Sequence, residues 1–225
     1  MNATPIVYWS VGKGVLATIT RGVAPIRTYG RERIPRHGGA VLAMNHAAWI
    51  DIPVFGTVCP RRIVYLAKVE LHRTPGLGTF VRAMGTIAVR RGESDREAVR
   101  RARGAVRENQ LLGMFVEGTR QRSGRPGKAL PGAAMVAIQE GVPVVPAAIF
   151  GSHAWRLGNF APVSVAFGEP FRLDHLPRKS QGYREGTAEI EREIGRLWEF
   201  LAEMHRLGRP RGTPPRRETL PSRVG

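Results

Sequence analysis

A histidine and an aspartate stand five residues apart in Asn45-His46-Ala47-Ala48-Trp49-Ile50-Asp51, directly after the apolar run Val41-Leu42-Ala43-Met44. A His held by a carboxylate is a general base whose tautomer is fixed. On a continuous helix, positions i and i+5 point roughly 140° apart, so the two side chains can meet only where the chain bends. A strand that ends at His46 and turns into a helix supplies that bend, and Pro53 suits the first turn of the helix. No Ser or Cys stands beside the pair, so the hydroxyl to be activated belongs to a substrate. The plainer alternative is a structural His–Asp hydrogen bond with no chemistry attached.

A second group of residues follows another apolar run. Phe115-Val116-Glu117-Gly118-Thr119-Arg120 reads as a strand end and a turn, in which Gly118 permits positive φ or close backbone approach and Thr119 can bond locally. Arg120 would then stand at the same sheet edge as His46, and a guanidinium suits phosphate because its fork donates two parallel hydrogen bonds. Glu117 is expected to orient that fork or to bind a substrate hydroxyl. Two further strand ends carry cations, Lys68 after Ile63-Val-Tyr-Leu-Ala and Arg91 after Gly85-Thr-Ile-Ala-Val-Arg90. Ligands of open α/β sheets sit outside the carboxyl ends of the strands. A His base ringed by Lys68, Arg91 and Arg120 describes hydroxyl activation beside a phosphate, although each cation taken alone is an ordinary surface charge.

The elements that must position these residues alternate along the chain. Strands are expected near 25–29, 39–45, 62–68, 86–90, 111–116, 143–150 and 162–167, and helices near 52–59, 76–83, 93–108 and 131–140. This βαβα rhythm predicts an α/β fold, a single domain whose mixed, largely parallel sheet is flanked by helices. The 93–108 helix opens with a Ser94-x-x-Glu97 capping box. Val99, Ala102, Ala105 and Val106 form its apolar side, and Arg96, Arg100, Arg103 and Arg107 form a basic stripe, either a solvated face or one turned to an anionic membrane. A C-terminal amphipathic helix is expected from Ser180 to Leu207, with Ile190, Ile194, Leu197, Trp198 and Leu201 inward. The proline-flanked strand Val142-Pro143-Val144-Val145-Pro146 is either plain core or a wall for an acyl chain.

Three segments result: an N-terminal amphipathic membrane-interface segment at 1–24, a catalytic domain at 25–207, and a Pro/Arg-rich tail at 208–225 expected to be disordered. The N-terminal segment is too polar to cross a membrane. Ile6, Val7, Trp9, Val15, Leu16 and Ile19 fit a helix lying in the interface, or equally one packed on the domain itself.

The chain has 225 residues, 42% of them hydrophobic, and a net charge of +17 carried by 35 Lys and Arg against 18 Asp and Glu. One domain of this size buries a substantial core, and the charge calls for a polyanionic partner: nucleic acid, an anionic membrane or a phosphorylated substrate. Aromatic residues make up only 7% and are not interleaved with the basic segments, which argues against nucleic acid. The single cysteine, Cys59, excludes an intrachain disulfide and reads as a core residue, and the scattered histidines predict no metal site. Hydrolysis by His46 acting on water is disfavoured, because no serine elbow accompanies it.

In this order, the blocks resemble those of the 1-acylglycerol-3-phosphate acyltransferases, a family of lysophospholipid acyltransferases. Its NHxxxxD block is similar to Asn45 through Asp51, its GxxxxxR block to Gly85 through Arg91, its FPEGTR block to Phe115 through Arg120, and its VPxxP block to Val142 through Pro146. The likeness runs from about Pro35 to Phe167. Val116 stands where the family usually has proline, which predicts a looser turn, and Ala88 and Arg90 depart within the second block. The resemblance implies that His46 deprotonates the free sn-2 hydroxyl of 1-acylglycerol 3-phosphate while Asp51 steadies the imidazolium. That hydroxyl then attacks an acyl-CoA or acyl-carrier protein directly, giving phosphatidic acid in phospholipid biosynthesis. It implies phosphate binding by Arg120 with Glu117, Gly118 and Thr119, and by Arg91 and Lys68. It further implies no cofactor beyond the acyl donor, no nucleic-acid partner, and a peripheral or monotopic place on the cytoplasmic face of the cell membrane. Related enzymes acylate glycerol 3-phosphate or other lysolipids with the same His–Asp pair.

Overall fold

Among the described residues seven short strands, each a run of apolar residues too brief for a helix, assemble into one sheet in the order β1-β7-β6-β2-β5-β3-β4. The strands are β1 (Ile26–Tyr29), β2 (Ala40–Met44), β3 (Ile63–Lys68), β4 (Ile87–Val89), β5 (Leu111–Phe115), β6 (Val144–Phe150) and β7 (Val163–Phe167). The computed structural model describes Gly22 and residues 24–75, 86–89 and 96–217. β6, β2, β5, β3 and β4 run parallel; β7 returns antiparallel to β6, and β1 lies parallel to β7. The carboxyl ends of β2, β5 and β6 therefore share one edge with the start of β7 and the entry into β1.

Alternation along the strands divides the core. Ala40, Leu42 and Met44 of β2 face Val54, Phe55 and Val58 of helix α1 (Asp51–Val58), while Val41 and Ala43 face the opposite layer. That layer holds α3 (Arg96–Arg107), α4 (Gly132–Glu140) and the long α5 (Ser180–Arg206), which bury Ala102 and Val106, Val136 and Ile138, and Ile190 and Ile194 respectively. A short helix, α2 (Val69–Arg73), follows β3 and was not expected. The helix expected at 76–83 and all of the membrane-interface segment but Gly22 and Ala24 lie outside the described residues, as does Ser94 of the capping box. β6 is buried on both faces, so its proline-flanked strand is core.

Two expectations change. Part of the basic stripe on α3 is neither bare nor free for a membrane: Arg103 and Arg107 both bond the carboxylate of Glu140 on α4, tying the two helices together. Nor are residues 208–217 disordered. Tyr29 Oη donates to the Pro210 carbonyl (3.0 Å), and Arg33 donates to the carbonyls of Pro214 (2.7 Å) and Pro215 (3.2 Å). Arg196 holds the Arg216 carbonyl (2.8 Å). Arg217 pairs with Glu189 (2.6 Å) while its guanidinium sits 4.1 Å from the centre of the Phe171 ring. This strap runs from the site edge, where Arg209 donates to the Pro25 carbonyl (2.6 Å), to the opposite edge at Phe171. Composition pointed to disorder because proline and arginine bury little apolar surface. What holds the strap instead is carbonyl oxygens, which proline retains, and buried carboxylates on α5.

Candidate active site

β2 stops at Met44, and the chain turns through Asn45–Ile50 into α1. Asp51, the first residue of that helix, is fully buried. Its Oδ2 accepts from His46 Nδ1 (2.8 Å), from Ala47 N–H (2.6 Å) and from Ala48 N–H (2.8 Å). One carboxylate oxygen thus gathers the whole turn and aligns the imidazole. With Nδ1–H donating to Asp51, Nε2 keeps the lone pair and has no partner among the described residues. That is the arrangement of a base. The ring lies on Phe115 from the end of β5, with centroids 4.0 Å apart and planes 24° apart, which limits its rotation. Behind Phe115, the ring of buried Tyr65 stacks in turn (6.1 Å) and its hydroxyl donates to the Ile52 carbonyl (3.3 Å). Burial, then the charges of Cys59 and Asp51, hold that hydroxyl far above the usual tyrosine range, so it stays a donor.

Glu117 sits differently from expectation. Its Oε2 accepts the backbone N–H of His46 (2.9 Å) and its Oε1 the N–H of Gly127 (2.7 Å), and the side chain is buried. It pins the end of β2 to the 116–131 loop rather than orienting Arg120. Burial pushes its carboxyl up to about 7, against the two N–H donors, which favour the charged form, and with a further upward push from Asp51. Val116 departs from its expectation too: its N–H donates to the Met44 carbonyl (2.9 Å), a bond that proline cannot make, so the ladder between β2 and β5 is extended rather than loosened. Gln121 N–H closes the loop onto the His46 carbonyl (2.7 Å).

Gly118 has φ +67, a backbone conformation that favours glycine; a Cβ there would meet only the tip of the exposed Leu130 side chain, which can turn aside. Thr119 and Arg120 are exposed just beyond it, at the edge where His46 stands. Lys68 is the last residue of β3, opposite Val89 of β4. Arg91 lies outside the described residues. Sequence reasoning missed Asn45, which is buried and whose amide both donates to the Ile149 carbonyl (3.1 Å) and accepts from Ile149 N–H (2.8 Å). This two-way clamp locks β2 to β6 one residue before the base. A polar side chain at the end of an apolar strand was the available signal. Among the described residues no group of three His, Cys, Asp or Glu side chains could hold a metal ion.

Glu117→Gln tests the pinning role. A glutamine can accept on one side only, and its NH2 group would face a backbone N–H. Turnover is expected to fall about tenfold or more with KM little changed, through displacement of His46. The pH dependence carries the second readout. A carboxyl raised from 4.5 to about 7 contributes stability that is full below pH 4.5 and is lost as pH rises through 7. The melting temperature of wild type should therefore decline between those limits relative to that of the variant. Parallel melting profiles would mean that Glu117 is not perturbed.

The family model of the acyltransferases matches residues 25–150. A 1-acyl-sn-glycerol-3-phosphate acyltransferase of Bacillus subtilis is 27% identical over 183 residues, spanning 76% of this chain and 91% of its own. A lyso-ornithine lipid O-acyltransferase of Pseudomonas aeruginosa is 32% identical over 65% of this chain, which spans only 55% of that relative's length. The crystal structure of a 1-acyl-sn-glycerophosphate acyltransferase from Thermotoga maritima shares the fold, with a TM-score of 0.68, 23% identity, and coverage of 88% of this chain and 79% of the other.

Proposed function

The chain belongs to the acyltransferase family, and from that premise we propose that it moves a fatty acyl group from acyl-CoA or acyl-carrier protein to the sn-2 hydroxyl of 1-acylglycerol 3-phosphate, giving phosphatidic acid. One observation carries the reading: His46 is held through Nδ1 by a buried aspartate, and its Nε2 has no partner among the described residues. Nε2 takes the proton of the acceptor hydroxyl as its oxygen attacks the thioester carbonyl. The tetrahedral intermediate collapses with loss of the C–S bond, and the departing thiolate takes the proton back from the imidazolium, which Asp51 stabilises meanwhile. The products are an ester and a free thiol, with no acyl-enzyme. Arg120, exposed on the same edge, binds the acceptor phosphate together with Gly118 and Thr119, while Lys68 and Arg91 add positive charge. No cofactor takes part besides the acyl donor, and no nucleic acid is involved. The enzyme works on the cytoplasmic face of the cell membrane as a peripheral or monotopic protein; no helix among the described residues is long and apolar enough to cross a membrane.

A second acceptor is favoured by one finding, the lyso-ornithine lipid O-acyltransferase relative, since O-acylation of such a substrate likewise needs a free hydroxyl activated, on another lysolipid. Thiol release from palmitoyl-CoA, with lysophosphatidate, glycerol 3-phosphate or a phosphate-free lysolipid added in turn, separates the readings. Release that requires lysophosphatidate is the expected result. Arg120→Ala should then raise KM for lysophosphatidate about tenfold with kcat nearly unchanged. An unaltered KM, or release with the phosphate-free lipid alone, moves the assignment to another acceptor. Release only from acyl-carrier protein identifies the donor.

A further inference from the structure

Among the described residues, six large hydrophobic side chains are exposed: Trp49, Ile52, Leu130, Leu157, Phe160 and Leu207. All six lie at one edge of the sheet, the edge that carries His46. Trp49 and Ile52 flank Asp51. Leu130 closes the 116–131 loop. Leu157 and Phe160 belong to the loop that joins the end of β6 to the start of β7, and Leu207 ends α5 beside them, where His205 Nε2 meets Ser164 Oγ (2.8 Å). The loops touch one another: Trp155 packs edge-on against Trp49 (5.5 Å between ring centres), and Gly124 lies against His153.

The β6–β7 loop is built to hold its tip outward. Asn159 N–H donates to the Arg156 carbonyl (3.2 Å), closing a turn with Leu157 and Gly158 at its apex. The Asn159 Oδ1 accepts from Arg156 N–H (2.9 Å) and Ala161 N–H (3.1 Å), and its Nδ2 donates to the Ala154 carbonyl (2.9 Å). Gly158 takes φ +94, and Phe160 takes φ +47, an uncommon conformation for a bulky residue. The result is a Leu157 that is 81% exposed and a Phe160 that is 54% exposed, on a turn knit entirely by its own polar groups. A folding core gains nothing from this. A tip that inserts into an apolar phase gains from it, because the turn is already ordered before it inserts.

Charge supports the same partner. Residues 118–131 and 151–162 contain Arg120, Arg122, Arg125, Lys128 and Arg156 and no Asp or Glu. Arg120, Arg122 and Lys128 are exposed and have no hydrogen-bond or ion-pair partner among the described residues. The opposite edge mixes signs instead: exposed Arg31, Arg36 and Arg178 stand there with exposed Glu32, Glu108 and Asp174, and Arg61 donates to the carbonyls of Pro35, Gly38 and Asn109. Pro25, where the chain leads in from the N-terminal segment, also stands at the site edge, opposite the start of β7.

Resting on the reading of a lipid acyltransferase, we propose that this edge docks face-on to an anionic bilayer, with Leu157 and Phe160 buried among the acyl chains, Trp49 at the headgroup level, and the arginines on lipid phosphates. A lipid acceptor then reaches His46 without leaving the membrane.

Partition of the full chain onto vesicles of phosphatidylcholine with phosphatidylglycerol measures this without any reliance on turnover. The Leu157→Ser, Phe160→Ser double variant should bind at least about tenfold more weakly, while its rate with a short-chain, monodisperse acceptor remains that of wild type. Unchanged partition overturns the proposal, as does a change in oligomeric mass, which would mean that the tip seats a second copy. Should the double variant fold poorly, Leu157→Cys carrying an environment-sensitive dye replaces it, since Cys59 is buried. A blue shift of the dye on addition of anionic vesicles is expected, and an unshifted spectrum overturns insertion. If partition behaves as expected and thiol release fails with every lysolipid, the docking surface stands and the substrate assignment does not.

Discussion

His46→Ala is expected to lower turnover by at least about a hundredfold, the usual scale for a lost general base, with the fold retained and KM for the acceptor little changed. The fold should survive because the turn does not depend on the ring: Asp51 Oδ2 keeps the N–H groups of Ala47 and Ala48, Glu117 keeps the His46 N–H, and the Asn45 clamp on Ile149 is untouched. Removing the ring uncovers one face of Phe115, a cost of about 1–2 kcal/mol, visible as a small fall in melting temperature. Initial rates of thiol release alongside circular dichroism check both halves. A variant with normal turnover would mean that the proton goes elsewhere, and the His46–Asp51 pair would be structural.

Removal of residues 208–225 is expected to be the most destabilising change to the chain that leaves the site itself whole. It strips Arg217 from the buried carboxylate of Glu189 and takes from Arg33 the carbonyls of Pro214 and Pro215 and from Arg196 that of Arg216. Loss of one partner from a buried ion pair costs up to about 3–5 kcal/mol; Glu189 keeps His175 Nε2 (3.1 Å), which places the loss at the lower end of that range, and a domain of this size then melts roughly 10 °C lower. The Arg217→Ala single variant should reproduce most of the fall. No hydrogen bond or ion pair of residues 208–217 reaches His46, Asp51 or Glu117, so turnover on a monodisperse substrate, measured well below the new melting temperature, should be retained. A truncated chain that melts with wild type would show that these contacts contribute no net stability.

The strands were legible because each is a short apolar run bounded by turn residues, and the ends of β2 and β5 put His46 and Arg120 at one edge of the sheet. The His46–Asp51 contact was legible for the same local reason, since only a bend brings positions five apart together. What escaped depends on register between distant segments. Glu117 stands three residues before Arg120 yet serves the His46 backbone, because β5 pairs with β2 so that Phe115 lies opposite Met44. Asn45 finds Ile149 only because β6 lies on the other side of β2. Arg103 and Arg107 read as a free stripe from helical spacing alone; Glu140, their partner, belongs to another helix. The strap was unreadable because its acceptors are backbone carbonyls, which composition does not record.

The placement of β1 beside β7 governs how the chain can fold. Of the described strands β1 is the first to be synthesised, yet its partner is the last, so it must wait unpaired while the central parallel strands form around β2. Long-range parallel pairing of this kind is slow, because loop closure precedes any gain from contacts. The stretch from 25 to 150 that carries every catalytic block stops short of β7. A chain released at Phe150 would present β6 as an open edge and β1 as a strand with no partner, a template for intermolecular pairing. Such a fragment should aggregate rather than act, and competence arrives with the last strand rather than with the last motif.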